Sequence, residues 1–161
     1  MTWGKGAAVI EQRLGAGHLE RVIADPKEAE HLLSRSRTHL ATAASAAADD
    51  PEIAYDAVYA AARKALTAVL VQQGLRPTRV GGHEVVIQAA EAQLVPPLGD
   101  VLKPFRRLRR LRAGADYLTS EGALSVEDVL ADLPVARAIV DAAAKVVPNM
   151  PVFVPRGGGN G

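Results

Sequence analysis

The sequence contains no cysteine, which excludes a disulfide framework, thiolate metal sites and thiol catalysis together. Aromatic residues are scarce, at 4% of the 161 residues against 48% hydrophobic residues overall. Large rings therefore cannot fill the interior, and the core must come from Leu, Val, Ile and Ala on closely approaching helices. No window holds the roughly 18 uncharged apolar residues of a membrane span. The opening, Met1 to Ala8, lacks the apolar stretch of a signal peptide, so a cytoplasmic protein without membrane contact is expected. A Walker loop, a dinucleotide glycine fingerprint and a serine-hydrolase elbow are all missing, which weakens the corresponding enzyme classes. Neither sign of charge dominates: 19 Lys and Arg face 18 Asp and Glu, which excludes a globally basic coat protein but leaves room for a local patch. His31 and His39 stand eight apart with no acid at ligand spacing, so neither a metal nor a cofactor is expected.

What is present is helical. Asp25-Pro26-Lys27-Glu28 supplies an N-cap carboxylate, a proline in the first helical position and a Glu that can reach back to the cap, predicting a helix over Pro26–Ala48. Asp50-Pro51 repeats the signal for a helix over Pro51–Gln73 that stops at Gly74. That second helix is apolar nearly all round, which predicts the central element of the bundle and a candidate dimer surface. Lys64 marks its exposed edge, and Arg63 is expected to pair with Asp56. Further helices are predicted over Glu84–Val95, from Gly99 or Pro104 to Leu118, and from the capping box at Ser125 to just before Pro148, interrupted or restarted at Pro134. A short helix over Ala7–Leu14 and an irregular stretch through Ile23 precede them, and no convincing strand pattern is found. The expected fold is all-α, an antiparallel bundle of four or five helices over residues 25–147, with a lead over 1–24 and a flexible tail over 148–161.

Between Lys103 and Arg112 lie six cations (Lys103, Arg106, Arg107, Arg109, Arg110, Arg112) and no acid. Arginine carries a planar fork of donors matched to phosphate, so the segment is a candidate for binding an RNA backbone or a nucleotide. A solvated helix face, or pairing with acids of neighbouring helices, accounts for it equally well. In helical projection Val101, Phe105, Leu108, Leu111, Ala115 and Leu118 face the core, and Arg106, Arg107 and Arg110 point away. Arg112 falls at the margin of the packed face, where it needs a partner: either Asp116 one turn later or a phosphate.

Tyr59-Ala-Ala-Ala-Arg63-Lys64-Ala-Leu66, Gly74-Leu75-Arg76-Pro77-Thr78, Gly81-Gly82-His83 and Arg112-Ala113-Gly114-Ala115-Asp116-Tyr117 follow one another in an order that resembles the HEPN superfamily, closest to its small actinobacterial-type proteins, from about residue 25 to 146. The resemblance implies an antiparallel helical bundle, commonly a homodimer. It also implies metal-independent RNA cleavage in many members, often in toxin-antitoxin or defence systems with a nucleotidyltransferase or antitoxin partner. Active members of the family carry Arg-x4-6-His on the fourth helix, with a polar residue after the Arg. Here Ala113 follows Arg112, Tyr117 stands at the histidine's spacing, and the histidines are His18, His31, His39 and His83. A phenol is a poor general base at neutral pH but can donate a hydrogen bond or stack on a base. The expectation is therefore an RNA- or nucleotide-binding module through Arg109, Arg110, Arg112, Tyr117 and His83, without ordinary ribonuclease activity. One alternative is an RNA-cleaving toxin in which Arg112 and Tyr117 are catalytic, and another is a protein-interaction subunit.

Overall fold

The computed structural model describes residues 3–115 and 123–156. The chain forms α1 (Ala7–Gly15), β1 (Leu19–Arg21), α2 (Pro26–Ala46), α3 (Pro51–Gln72), β2 (Leu75–Pro77), α4 (Glu84–Leu94), the one-turn α5 (Gly99–Leu102), α6 (Phe105–Ala115) and α7 (Val126–Val146), followed by a 3-10 turn over Val147–Asn149. It is an all-α bundle apart from the three-residue strands. The predicted starts of α2, α3 and α7 are where their caps act: Asp25 accepts from the Glu28 amide, Asp50 from the Ile53 amide, and Ser125 and Asp128 cap each other reciprocally.

Helix α3 occupies the centre. Ala54, Ala57, Ala61, Ala62, Ala65 and Ala68 are buried along with Val58, Leu66, Val69 and Leu70, and α2, α4, α6 and α7 pack around it. Its small side chains let neighbouring axes approach closely on several sides, so its apolar surface is used inside the chain and little is left for a dimer surface. Pro134 does not interrupt α7, which continues from Val126 to Val146, whereas Pro104 separates α5 from α6.

Three expectations are corrected. The stretch before Ile23 contains β1, which pairs antiparallel with β2, with Leu19 opposite Pro77 and Arg21 opposite Leu75; three residues are too few to show an alternating pattern, and the partner is more than fifty residues away. Residues 3–24 also belong to the bundle's single core, contributing buried Ala7, Ile10 and Leu19. The tail, expected to be flexible from 148, lies along the bundle as far as Arg156: Met150 and Phe153 are buried and the Phe153 amide donates to the Gln73 carbonyl at 2.9 Å. Two apolar side chains anchoring an extended segment outweigh its proline- and glycine-rich composition there.

Several polar groups buried between the helices bond to one another. Gln73 and Gln93 exchange side-chain hydrogen bonds of 2.6 and 2.9 Å. Tyr55, fully buried on α3, donates to Asp132 Oδ2 of α7 at 2.7 Å, and Arg107 of α6 pairs with the other oxygen of the same carboxylate. Burial, and then the bond to Asp132, raise the Tyr55 pKa, so the phenol acts as a donor. Because each partner leaves the other unsatisfied when removed, Tyr55→Phe and Asp132→Ala should each cost about 1–3 kcal/mol. The double substitution should cost clearly less than the two together in urea denaturation; additive losses would show that the two groups are not coupled.

Candidate functional site

Helical spacing assembles the site from two facing strips. On α3, Asp56, Tyr59 and Arg63 recur at i, i+3 and i+7; on α6, Phe105, Arg109 and Arg112 recur at i, i+4 and i+7. The strips meet. The Tyr59 ring lies 5.6 Å from that of Phe105, the Arg112 guanidinium sits 5.9 Å above the Tyr59 ring, within cation–π range, and Arg112 Nε donates to Asp56 Oδ1 at 3.3 Å. Arg112 is thus at the margin of the packed face, as its projection predicts, but its partner comes from α3. Asp56, expected to pair with Arg63 on its own helix, is instead bonded across the helix interface. Asp116 and Tyr117 lie outside the described residues.

A third element completes the cluster. Loop residues 78–82 fold back on the start of β1: the Thr78 amide donates to the His18 carbonyl at 3.0 Å, and the Gly81 amide to Thr78 Oγ1 at 3.2 Å. Gly81 approaches so closely that a Cβ there would lie 2.1 Å from the His18 carbonyl oxygen, which reserves the position for glycine. His83 follows at the N-terminus of α4, where its side chain makes no capping bond. Its Nδ1 instead lies 2.7 Å from the Tyr59 hydroxyl, with the rings 5.7 Å apart. A histidine from a different segment thus lies against the same tyrosine as Arg112 of the basic helix. Burial, then the charges of Arg63, Arg109 and Arg112, lower its pKa; burial also raises that of Tyr59. Both groups are held neutral at physiological pH, joined by one proton between phenol oxygen and Nδ1.

The six cations between Lys103 and Arg112 divide into four kinds. Arg107 is committed to Asp132, a carboxylate only 7% exposed. Arg106 is held by Glu84 at 2.9 Å and Glu91 at 2.6 Å. Arg109 pairs with Glu84 at 3.0 Å and Arg112 with Asp56, but in these pairs every side chain is 37–51% exposed, and such wet ion pairs contribute only about 0–1 kcal/mol each. Arg110 and Lys103 are exposed, with no carboxylate in ion-pair range among the described residues. One recess of about 240 Å³ lies between Glu84, Arg106, Arg109 and Arg110, and another, of about 500 Å³ on the His83 side, is lined by Arg63, Thr67, Thr78, Arg79 and His83. Sequence reasoning missed Arg63, Arg79 and Tyr59 as members of this site. The adjacency of Tyr59 and Arg63 one turn apart was a signal, but the loop bearing His83 and Arg79 could be placed only by the fold. Among the described residues no group of three or more His, Asp or Glu is arranged to hold a metal, and no helix is long and apolar enough to cross a membrane.

A family model described as HEPN domain matches residues 19–147. No curated protein and no solved structure matches the chain.

The pH dependence of stability tests the His83 environment. With its folded pKa below the ordinary 6.5, the unfolded chain takes up the proton more readily. The stabilising contribution is complete above 6.5 and is lost as pH falls through the folded value. His39, lowered in the same direction, adds to the effect. Urea midpoints measured from about pH 7 to about pH 5 should fall less steeply for His83→Asn than for the parent; parallel curves would contradict the buried, arginine-flanked histidine.

Proposed function

The chain belongs to the HEPN domain family, a class of nucleotide- and RNA-related modules, and on that premise we propose that it binds RNA or a nucleotide through phosphate contacts beside the Tyr59–His83 pair, without ordinary ribonuclease activity. The observation that carries this reading is the gathering of arginines around the Tyr59–His83 pair: Arg112 lies over the Tyr59 ring, Arg109 is paired with Glu84 next to His83, and Arg63 shares an open groove with His83. A phosphate entering there exchanges the exposed Glu84 and Asp56 carboxylates for a bidentate, charge-assisted contact, and the weak pairs it displaces cost little. Arg110 and Arg79, both exposed, extend the same positive surface. Tyr117 stays in the proposal as a stacking residue because of its spacing from Arg112. The reading includes a cytoplasmic homodimer, but with α3 enclosed in its own bundle the dimer contact must come from another face. A place in a toxin-antitoxin or defence system, with a nucleotidyltransferase or antitoxin partner, follows only from the family resemblance.

Cleavage is the second reading, and one feature favours it: His83 lies with Arg112 against the same Tyr59 ring. Against it stands the engagement of Nδ1 by the phenol, which leaves one ring nitrogen for both acid and base roles. Incubating metal-free protein with total RNA separates the two, and degradation lost in His83→Asn would establish cleavage in place of simple binding.

Titration of a labelled single-stranded RNA at several salt concentrations tests the leading reading. Arg109→Ala and Arg112→Ala should each weaken binding about tenfold at low salt and flatten the salt slope by roughly 0.7. Arg107→Ala, whose guanidinium is already taken by Asp132, should leave both unchanged. Equal binding by the parent and all three variants would reject the assignment.

A further inference from the structure

Next to Arg63, α2 and α3 bring together a second group of cations. Arg35 and His39 are one turn apart on α2, and Arg63 and Lys64 are consecutive on α3. Lys64 Nζ lies 2.8 Å from His39 Nε2. An ammonium can only donate, so His39 accepts through Nε2 and carries its proton on Nδ1. No carboxylate lies in ion-pair range of Arg35, Arg63 or Lys64 among the described residues, in contrast to the basic helix, where four arginines have acidic partners. Arg35 is exposed, and the other three are half-buried at the interface of the two helices. Like charges held this close repel unless an anion joins them.

We propose that Arg35, His39, Arg63 and Lys64 form a second phosphate site, and that the ligand of this chain is a single-stranded RNA long enough to place separate backbone phosphates there and beside His83. The inference rests on the RNA-binding reading above and narrows it, since a mononucleotide has no second phosphate group to reach the other site. Arg63 joins the two: it lines the groove with His83 and Arg79, and its neighbour Lys64 contacts His39. Burial and then the charges of Lys64, Arg35 and Arg63 hold the His39 pKa down, and burial with the charges of Arg63 and Arg35 does the same for Lys64. Thr67, whose hydroxyl bonds to the Arg63 carbonyl at 2.8 Å, lies one turn further along the groove wall.

The test compares the parent with the double variant Arg35→Gln/Lys64→Gln, which keeps both aliphatic stems, and with Arg112→Ala. For single-stranded RNA the double variant should lose about tenfold in affinity at low salt and about 1.4 from the salt slope, two contacts at roughly 0.7 each. Inorganic pyrophosphate should saturably shift the His39 ring resonances of the parent and leave those of the double variant in place. An unchanged slope in the double variant beside weakened binding by Arg112→Ala would overturn the second site and leave the first reading standing; no loss in either variant would remove both. A mononucleotide that competes with the RNA as strongly as the RNA itself would also overturn the assignment. So would retention on anionic lipid vesicles that the double variant loses while its RNA slope is unchanged.

Discussion

The enclosure of α3 on nearly every side is the constraint from which the other features follow. Its alanines allow α2, α4, α6 and α7 to close around it, and the dispersion and hydrophobic gains of that contact hold the bundle together. Two tyrosines are buried with it, and a buried hydroxyl needs a partner. Tyr55 finds Asp132 and Tyr59 finds His83. The first bond locks α3 to α7. The second brings the loop after β2 onto the α3–α6 contact, so the same packing rule that stabilises the core also places a histidine among arginines.

Charge is organised by solvent access. Where the partner carboxylate is buried, as with Asp132, the arginine is part of the structure and has no freedom to bind a ligand. Where both partners are partly wet, as with Asp56 and Glu84, the ion pair is weak enough to be exchanged. The acids of neighbouring helices therefore neutralise part of the basic helix without closing it. The cluster on α2 and α3 has no acids within reach among the described residues, and its strongest contact is between an ammonium and a neutral imidazole.

Loop geometry contributes as much as helix chemistry. The small antiparallel sheet joins the segment after α1 to the segment after α3, and Gly74, with φ +74° and a Cβ position 2.8 Å from the Val22 carbonyl oxygen, turns the chain into it. Close backbone approach at Gly81 then sets where α4 begins. His83 is thus positioned by backbone contacts with residues near the N-terminus, not by the helix that carries the arginines.

Helix identity was legible in the sequence because it is local: Asp25, Asp50 and Ser125 bond to amides three residues on, and the apolar character of α3 requires burial wherever its neighbours come from. The placement of Arg112 at the edge of the packed face was likewise contained in the 3.6-residue period. What the sequence could not determine was pairing across elements. Asp56 with Arg112, Tyr59 with His83, Lys64 with His39 and the three-residue strands all join segments 24 to 58 residues apart, and nothing in local spacing selects one such partner over another. Tertiary packing made those choices, because each buried hydroxyl or half-buried charge bonds with whatever group the close-packed helices and glycine-dependent loops bring within about 3 Å.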